Sequence, residues 1–204
     1  QDYIKLSNIS RNNLKNVSTK IPKQAMTVVT GVAGSGKSSL IHEGLGQLQD
    51  TIFIDQKPVH ASSRSNLLTY LNIFDEVRSY FSEETGLKKS MFSYNSEGAC
   101  PECHGKGILK TELAFMPDFT QTCDVCDGLR YKPEVLDAKI AGYSIADILA
   151  LTVDEAIEFF HSKHNISTPL NALKSTGLNY MTLGQTLNTL SGGEIQRVKL
   201  SKYL

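Results

Sequence analysis

The chain has 204 residues, of which 40% are hydrophobic and 21% are charged, so it can bury a core and global disorder is excluded. Lys and Arg together number 21, as do Asp and Glu, which excludes an overall positive field that would attract nucleic acid. Because no apolar run reaches the roughly 18 residues of a membrane span and the first residues show no secretory signal, we expect a cytoplasmic protein without a membrane partner.

The first 56 residues predict a small antiparallel β lobe, a buried strand that leads into a glycine loop, and a second strand after it. IKLSNI and LKNVSTKI alternate apolar and polar residues, which is typical of paired strands. After Pro22, the β-branched run AMTVVTG predicts a buried strand that leads into a glycine loop. TIFIDQ, from Thr51 to Gln56, predicts a second strand. A short helix is expected between them, with apolar residues at helical spacing: Leu40, Ile41, Leu45 and Leu48.

The segment from Gly31 to Ser38 fits the pattern G-x-x-x-x-G-K-[ST]. Its glycines let the backbone curl so that amide groups and the start of the next helix face phosphate oxygens. The Lys37 ammonium would reach the β- and γ-phosphates, and the Ser38 hydroxyl would ligate Mg²⁺. A glycine-rich turn without a ligand is the alternative. The predicted ATP site consists of Gly31, Gly34, Ser35, Gly36, Lys37, Ser38 and Ser39.

The middle of the chain predicts a helix around Ile73 to Phe81 and then an insertion with its own stabilising device. Two C-x-x-C pairs are separated by 19 residues, a spacing typical of a zinc site with four cysteine ligands. Four thiolates would complete a tetrahedral shell, so the predicted Zn²⁺ is structural rather than catalytic. Disulfide bonds are the alternative, since four cysteines allow three pairings. The candidate ligands are Cys100, Cys103, Cys123 and Cys126.

The last third of the chain predicts capped helices. Thr152-x-x-Glu155 is a capping box, and a further helix from about Thr168 would end at Gly177. Ser191-Gly-Gly-Glu194 is a second capping box. Gly192 and Gly193 leave the first-turn amides of that helix uncovered, which predicts an anion site. An ordinary capped helix is the alternative.

A phosphate loop followed by LSGGE resembles the ATP-binding-cassette ATPases, and cysteine pairs between them narrow the resemblance to the UvrA family, in particular its second nucleotide-binding half. The matching stretches occur in order: NNLKNVS, GVAGSGKSSLI, IDQKP, RSN-x-x-TY, FSYN, CPECHGKG, CDVCDGLRY, MTLGQ and LSGGEIQRVKLS. The resemblance implies an α/β fold: an ABC-ATPase (P-loop) core, a small antiparallel β lobe and an inserted Cys₄ zinc module in a mainly helical region. Residues 1–90 would begin the core, 91–135 would form the zinc insertion, and 136–204 would form the helical signature region.

The resemblance also implies roles and partners. Gln56 matches the glutamine that senses Mg²⁺ and the attacking water, so Lys37 and Gln56 would be catalytic. Ser191, Gly192 and Gly193 match the signature motif, which binds the γ-phosphate of ATP held by the opposite half. The implied function is recognition of DNA damage in nucleotide excision repair. Its partners would be damaged duplex DNA, the other nucleotide-binding half, a second UvrA-like protomer and a UvrB-like helicase.

Three alternatives remain open beside this prediction. The short spacing between Ser38 and Gln56 also fits a UvrA-like drug-resistance paralogue. An ATPase subunit of a membrane transporter shares the phosphate loop and LSGGE but does not explain the cysteines. A zinc chaperone of the DnaJ type would explain CPECHGKG but not Lys37. Because the sequence stops at Leu204, before the family's acidic strand end, catalytic Glu and switch His, we expect a fragment that does not hydrolyse ATP alone.

The charge count does not predict a DNA contact at the zinc insertion. Residues 100–132 contain five acidic and four basic side chains, and a zinc ion with four thiolates adds about two negative charges. Contacts with phosphates would therefore come from elsewhere, with Arg64, Arg78, Lys88 and Lys89 as candidates. Phe92 and Tyr94 could stack on bases, with simple packing as the alternative.

Overall fold

The computed structural model describes residues 2–46, 48–55, 57, 59, 64–111 and 119–204. The chain divides into two compact units, Gln1–Phe53 and Ile54–Leu204. The mixed helix and strand content of the two units agrees with the expected α/β class.

Within residues 2–46 and 48–53, the first unit contains a two-stranded sheet and a helix. Strands β1 (Tyr3–Ile9) and β2 (Val17–Pro22) are antiparallel, as the alternating pattern predicts. Helix α1 (Lys37–Leu45) is short. A Cβ atom at Gly44 of α1 would lie 2.5 Å from Cδ1 of Leu6 on β1, so the glycine lets the helix pack closely on the sheet.

The predictions of a buried strand at AMTVVTG and of a second strand at TIFIDQ are wrong for the described part of the chain. Residues 25–31 and 51–55 form no strand, and most of their apolar side chains face solvent, with Met26 92% and Ile52 53% exposed. A strand is stabilised by hydrogen bonds to a neighbouring strand, and no such neighbour pairs with either run among the described residues. Local β propensity alone is therefore insufficient here.

The second unit is mainly helical. Among its described residues, β3 (Ile108–Thr111) and β4 (Phe119–Thr122) form an antiparallel sheet. The helices are α2 (Leu67–Tyr70), α3 (Phe74–Thr85), α4 (Pro133–Asp137), α5 (Ile145–Ala150), α6 (Val153–Phe159), α7 (His164–Ser175) and α8 (Gly192–Ser201). Short 3₁₀ helices cover Lys89–Phe92 and Leu187–Thr189. The helix predicted around residues 73–81 is thus confirmed as α3.

Aromatic and aliphatic side chains of these helices form one core. Phe81, Phe92, Phe160 and Leu170 are fully buried, and the rings of Phe81 and Phe92 lie 5.2 Å apart between centroids. Burying a side chain of this size stabilises a fold by about 1.5–3 kcal/mol. The core therefore holds α3, α6 and α7 together and supports the loops between them.

Capping residues set the boundaries of several helices. The capping boxes predicted at Thr152 and Ser191 are present at the starts of α6 and α8. Two more, at Asn66 and Ser144, begin α2 and α5. Helix α7 begins earlier than predicted and ends before Gly177, which has the left-handed φ of 75° expected of a terminating glycine.

Candidate nucleotide and metal sites

The segment that matches the phosphate-binding pattern is curled rather than extended. Gly31, Gly34 and Gly36 have φ values of 153°, 77° and 90°, a region that side-chain-bearing residues avoid. The Ser35 N–H donates to the Val32 carbonyl at 3.2 Å, which closes a turn, and helix α1 then begins at Lys37. The loop thus leads directly into a helix N-terminus, where a positive partial charge favours an anion.

The Lys37 side chain folds back over this loop. Its ammonium donates to the carbonyl oxygens of Gly31 and Val32, both at 2.8 Å, and to the Ser35 hydroxyl at 3.4 Å. These contacts hold a positive charge above the curled backbone. A phosphate oxygen placed there would be a stronger acceptor for the ammonium than a neutral carbonyl, because both partners would be charged.

The two serines after Lys37 differ in their surroundings. Ser39 is partly buried and its hydroxyl accepts a 2.9 Å hydrogen bond from the Asn12 amide. Ser38 is exposed in the first turn of α1. Of the two, Ser38 is therefore the better placed to offer its hydroxyl to a metal ion in solution.

Two asparagines between β1 and β2 brace the loop, and sequence reasoning gave them no role. The Asn13 amide donates to the Gly34 carbonyl at 2.7 Å, in addition to the Asn12 contact with Ser39. A Cβ atom at Gly36 would lie 2.8 Å from Asn13 Oδ1. The double asparagine in NNLKNVS was the available signal, because amide side chains often bond to loop backbone.

The N-terminus of helix α8 is open to solvent. Ser191 accepts from the Glu194 N–H at 3.3 Å, and its own N–H donates to Glu194 Oε2 at 2.8 Å, which completes the capping box. Added Cβ atoms at Gly192 and Gly193 would meet nothing within 4 Å. The fold itself does not need glycine at these positions, which leaves close approach by a ligand as a reason for them.

The four cysteines form one buried cluster. Their sulfur atoms all lie within 4.8 Å of one another, with Sγ separations of 3.9 Å for Cys100–Cys123 and 3.7 Å for Cys103–Cys126. A tetrahedron with Zn–S bonds of about 2.3 Å has edges of about 3.8 Å. The donor set and its spacing therefore fit a zinc ion, and all four thiols are free rather than paired in disulfides.

The backbone around the cluster repeats with approximate two-fold symmetry. The Cys100 N–H donates to the Arg130 carbonyl at 2.9 Å, and the Cys123 N–H donates to the Gly107 carbonyl at 3.0 Å. In each case the acceptor lies four residues after the second cysteine of the other pair. Each pair is followed by two residues with left-handed φ, His104–Gly105 and Asp127–Gly128. These turns let each pair point both sulfur atoms to one side.

The cysteine thiols differ in acidity. Burial raises the pKa of Cys126 to about 12. Burial also acts on Cys103, but the Gly107 N–H and the neighbouring thiols lower the pKa of that group to about 7. At neutral pH a cation would therefore have to displace protons to bind all four as thiolates.

The remaining predicted positions have different outcomes. Gln56 lies outside the described residues. The phosphate-loop residues belong to the first unit, whereas Ser191, Gly192, Gly193 and the cysteines belong to the second. Each of these three groups is contiguous or clustered in space.

Stacking of bases on Phe92 or Tyr94 is ruled out in this conformation, because both side chains are buried. Packing, the alternative interpretation, is confirmed.

Of the basic candidates, Arg78 and Lys89 form ion pairs with Asp75. Arg64 donates to the His104 carbonyl at 3.4 Å, next to the cysteine cluster.

Within the described ranges, no helix has the length and apolar character needed to cross a membrane.

Comparison with known proteins gives consistent similarities. The family model described as ABC transporter matches residues 14–204. UvrABC system protein A from Helicobacter pylori (strain ATCC 700392 / 26695) is 40% identical over 99% of this chain and 25% of its own length. The protein of the same name from Staphylococcus aureus (strain COL) is 44% identical over 95% of this chain and 24% of its own.

A solved structure is also similar. UvrA2 from Deinococcus radiodurans superimposes with a TM-score of 0.82 at 39% sequence identity, over 99% of this chain and 28% of that one. The chain spans about a quarter of the length of the curated relatives that it matches.

Proposed function

Because this chain belongs to the ABC transporter family and, within it, to the UvrA-like proteins, we propose that it is a nucleotide-binding half of a UvrA-like ATPase that recognises DNA damage in nucleotide excision repair. The curled loop with Lys37 folded over it carries this proposal. A transporter subunit or a zinc chaperone is not favoured, since the similarity to the UvrABC relatives extends over 95–99% of the chain.

In this proposal the first unit binds Mg²⁺-ATP. The loop amides, the N-terminus of α1 and the Lys37 ammonium bind the phosphates, and the Ser38 hydroxyl ligates Mg²⁺. Residues of the loop that contact the nucleotide are Gly31, Gly34, Ser35, Gly36 and Lys37, and Ser39 anchors the loop through Asn12. Gln56 senses the metal and the attacking water, as the family resemblance implies.

The open end of α8 binds phosphate of a nucleotide held by another nucleotide-binding half. The exposed first turn at Gly192 and Gly193 and the positive end of the helix dipole support this role. The partner half could belong to the same protein or to a second UvrA-like protomer. Two such sites would make nucleotide binding promote association of the halves.

The cysteine cluster holds a structural Zn²⁺ and orients the β3–β4 hairpin.

Damaged duplex DNA is the proposed ligand of the complete protein, and a UvrB-like helicase is the proposed downstream partner. With zero net charge, DNA binding would depend on local basic residues and weaken as salt increases. We propose a cytoplasmic location, because bacterial chromosomal DNA is the proposed ligand of the complete protein.

Titration with a fluorescent ATP analogue tests the nucleotide site. We expect Mg²⁺-dependent binding by the wild-type chain and at least about tenfold weaker binding by Lys37→Ala, since a charged hydrogen bond contributes about 1.5–3 kcal/mol. Lys20→Ala is the matched control, because Lys20 is an exposed lysine on β2 of the same unit. Equal affinities for the wild type and Lys37→Ala would overturn the proposed site.

A further inference from the structure

Lys199, on the last turn of α8, makes three hydrogen bonds to one short segment. Its ammonium donates to the Asp55 carbonyl at 3.2 Å, to Asp55 Oδ1 at 2.5 Å and to the Lys57 carbonyl at 2.8 Å. An ammonium has three N–H donors, so these bonds use its full capacity. The two carbonyl acceptors belong to the residues on either side of position 56.

This arrangement differs from an ordinary surface ion pair. The Lys199 side chain is only 18% exposed, and two of its three acceptors are main-chain oxygens. Exposed ion pairs between side chains contribute little, because both partners move and water screens them. Main-chain acceptors instead tie the lysine to the path of the backbone itself.

The residues that Lys199 contacts lie close to the boundary between the two units in the sequence. The first unit ends at Phe53 and the second begins at Ile54, so Asp55 and Lys57 lie at the start of the second unit. Lys199 therefore attaches this start to α8. The opposite end of α8, at Gly192, lies about 10 Å away along the helix axis, given a rise of about 1.5 Å per residue.

We propose that Lys199 is a positioning residue that ties Asp55 and Lys57, the sequence neighbours of Gln56, to the signature helix. Through this clamp, Asp55 and Lys57 move together with the end of α8 that carries Gly192. A change at one is transmitted to the other without a contact between Gln56 and the nucleotide bound at α8. The inference rests on the proposed function, because it takes Gln56 as the Mg²⁺-sensing residue.

The test compares Lys199→Met with the wild type and with Lys202→Met as the matched control. Lys202 is three residues further along, and its ammonium lies 3.9 Å from the centroid of the Tyr70 ring rather than on residues 55–57. Both substitutions remove one positive charge and keep a long aliphatic side chain. Hydrogen exchange of the peptide spanning residues 54–57 reports on the clamp through the backbone motion that these contacts restrict.

A second measurement tests whether the Lys199 contacts affect the Mg²⁺ dependence of nucleotide binding. The affinity for the fluorescent ATP analogue is measured with Mg²⁺ and with a chelator, and the ratio of the two gives the metal-dependent gain. In Lys199→Met we expect exchange at residues 54–57 to accelerate by at least about tenfold. We expect the metal-dependent gain to fall by about fivefold, the lower end of typical coupling between sites, with affinity in chelator unchanged. Lys202→Met should match the wild type in both.

Two further variants keep the test decisive if Lys199→Met does not fold. Lys199→Arg keeps the charge, but its planar fork cannot satisfy the same three acceptors, so it should lose part of both effects. Asp55→Asn removes the charged acceptor and leaves both carbonyls, so it should show a smaller change of the same kind.

The outcomes separate this inference from the proposed function. If the wild type binds no ATP, the proposed function fails, while the exchange measurement still reports on the clamp. Wild-type exchange in Lys199→Met would show that the clamp does not exist in solution. Faster exchange with an unaltered Mg²⁺ gain would reduce Lys199 to a structural contact, and either result overturns the inference.

Discussion

The Tyr180 hydroxyl donates a 2.6 Å hydrogen bond to Oε1 of Glu194, while Oε2 of the same carboxylate accepts from the N–H and the hydroxyl of Ser191 at 2.8 Å. One carboxylate is thus held from two sides at the first turn of α8. The capping box was visible in the sequence, but the tyrosine was not. Its contact stabilises the charged form of Glu194, next to the glycines proposed to meet phosphate.

The contact predicts how Glu194 titrates. The hydrogen bond from Tyr180 and then those from Ser191 lower the pKa of Glu194. A carboxyl with a lowered folded pKa stabilises the fold fully above its unfolded pKa of about 4.3, and that contribution is lost as pH falls through the folded value. We expect Tyr180→Phe to raise the Glu194 pKa toward its usual value, as measured by carbon NMR of the carboxyl during an acid titration. The control is Tyr143→Phe, which changes another exposed tyrosine. An identical titration of Glu194 in Tyr180→Phe and Tyr143→Phe would contradict the prediction.

Removing zinc should unfold the cysteine module but not the helical core. We expect one zinc ion per chain by elemental analysis, and a chelator should increase hydrogen exchange over residues 100–130. Helices α3 and α7 should stay protected, because their core contains none of the cysteines. A structural zinc site contributes on the order of 10 kcal/mol to ordering its ligands.

The matched variants for this prediction lie in one turn. Cys123→Ser replaces a ligand and should abolish stoichiometric zinc, whereas Asp124→Ser, at the exposed position beside it, should retain the ion. Full zinc content in Cys123→Ser would contradict a site with four cysteine ligands.

Gly105 should tolerate no side chain. Its φ is 76°, and a Cβ atom there would lie 1.7 Å from the Tyr94 carbonyl oxygen. Gly142 has a similar φ of 86° but open space around it. Gly142→Ala therefore measures backbone strain alone, about 1–2 kcal/mol, and Gly105→Ala adds a clash that the backbone must move to relieve. We expect a much larger loss of stability for Gly105→Ala in denaturant unfolding, and equal losses would show that the close approach is absent.

Alanine at Gly193 should separate folding from ligand binding. Because the position is helical and open, Gly193→Ala should stabilise the chain by about 0.5–1 kcal/mol. The added methyl group would nevertheless stand where we propose that a phosphate approaches. We expect nucleotide-dependent association of chains, measured by sedimentation, to weaken while the melting temperature holds or rises. Unchanged association would argue for an ordinary capped helix.

Several features of this protein could be predicted from short stretches of sequence. The β1–β2 pair, the capping boxes at Thr152 and Ser191, the terminating Gly177 and the two cysteine pairs were all recognised in this way. The strands, capping boxes and terminating glycine depend on residues only a few positions apart. The metal site is recognisable because all four of its candidate ligands are cysteines in C-x-x-C pairs. The physical cause, such as a side chain that reaches its own backbone, is therefore contained in the local sequence.

Other features depended on partners distant along the chain. The runs at residues 25–31 and 51–55 have the composition of strands but no neighbour among the described residues, and so they form none. Likewise, Phe92 and Tyr94 are buried by packing that no local pattern reveals.

The sequence by itself determined which segments could curl around phosphate, bind a metal or begin a helix, because these properties arise within one or two turns of backbone. Only the tertiary structure brought Lys199 to Asp55, Asn13 to Gly34 and Tyr180 to Glu194. Those pairs are set by how helices and loops pack, and packing depends on many side chains acting together.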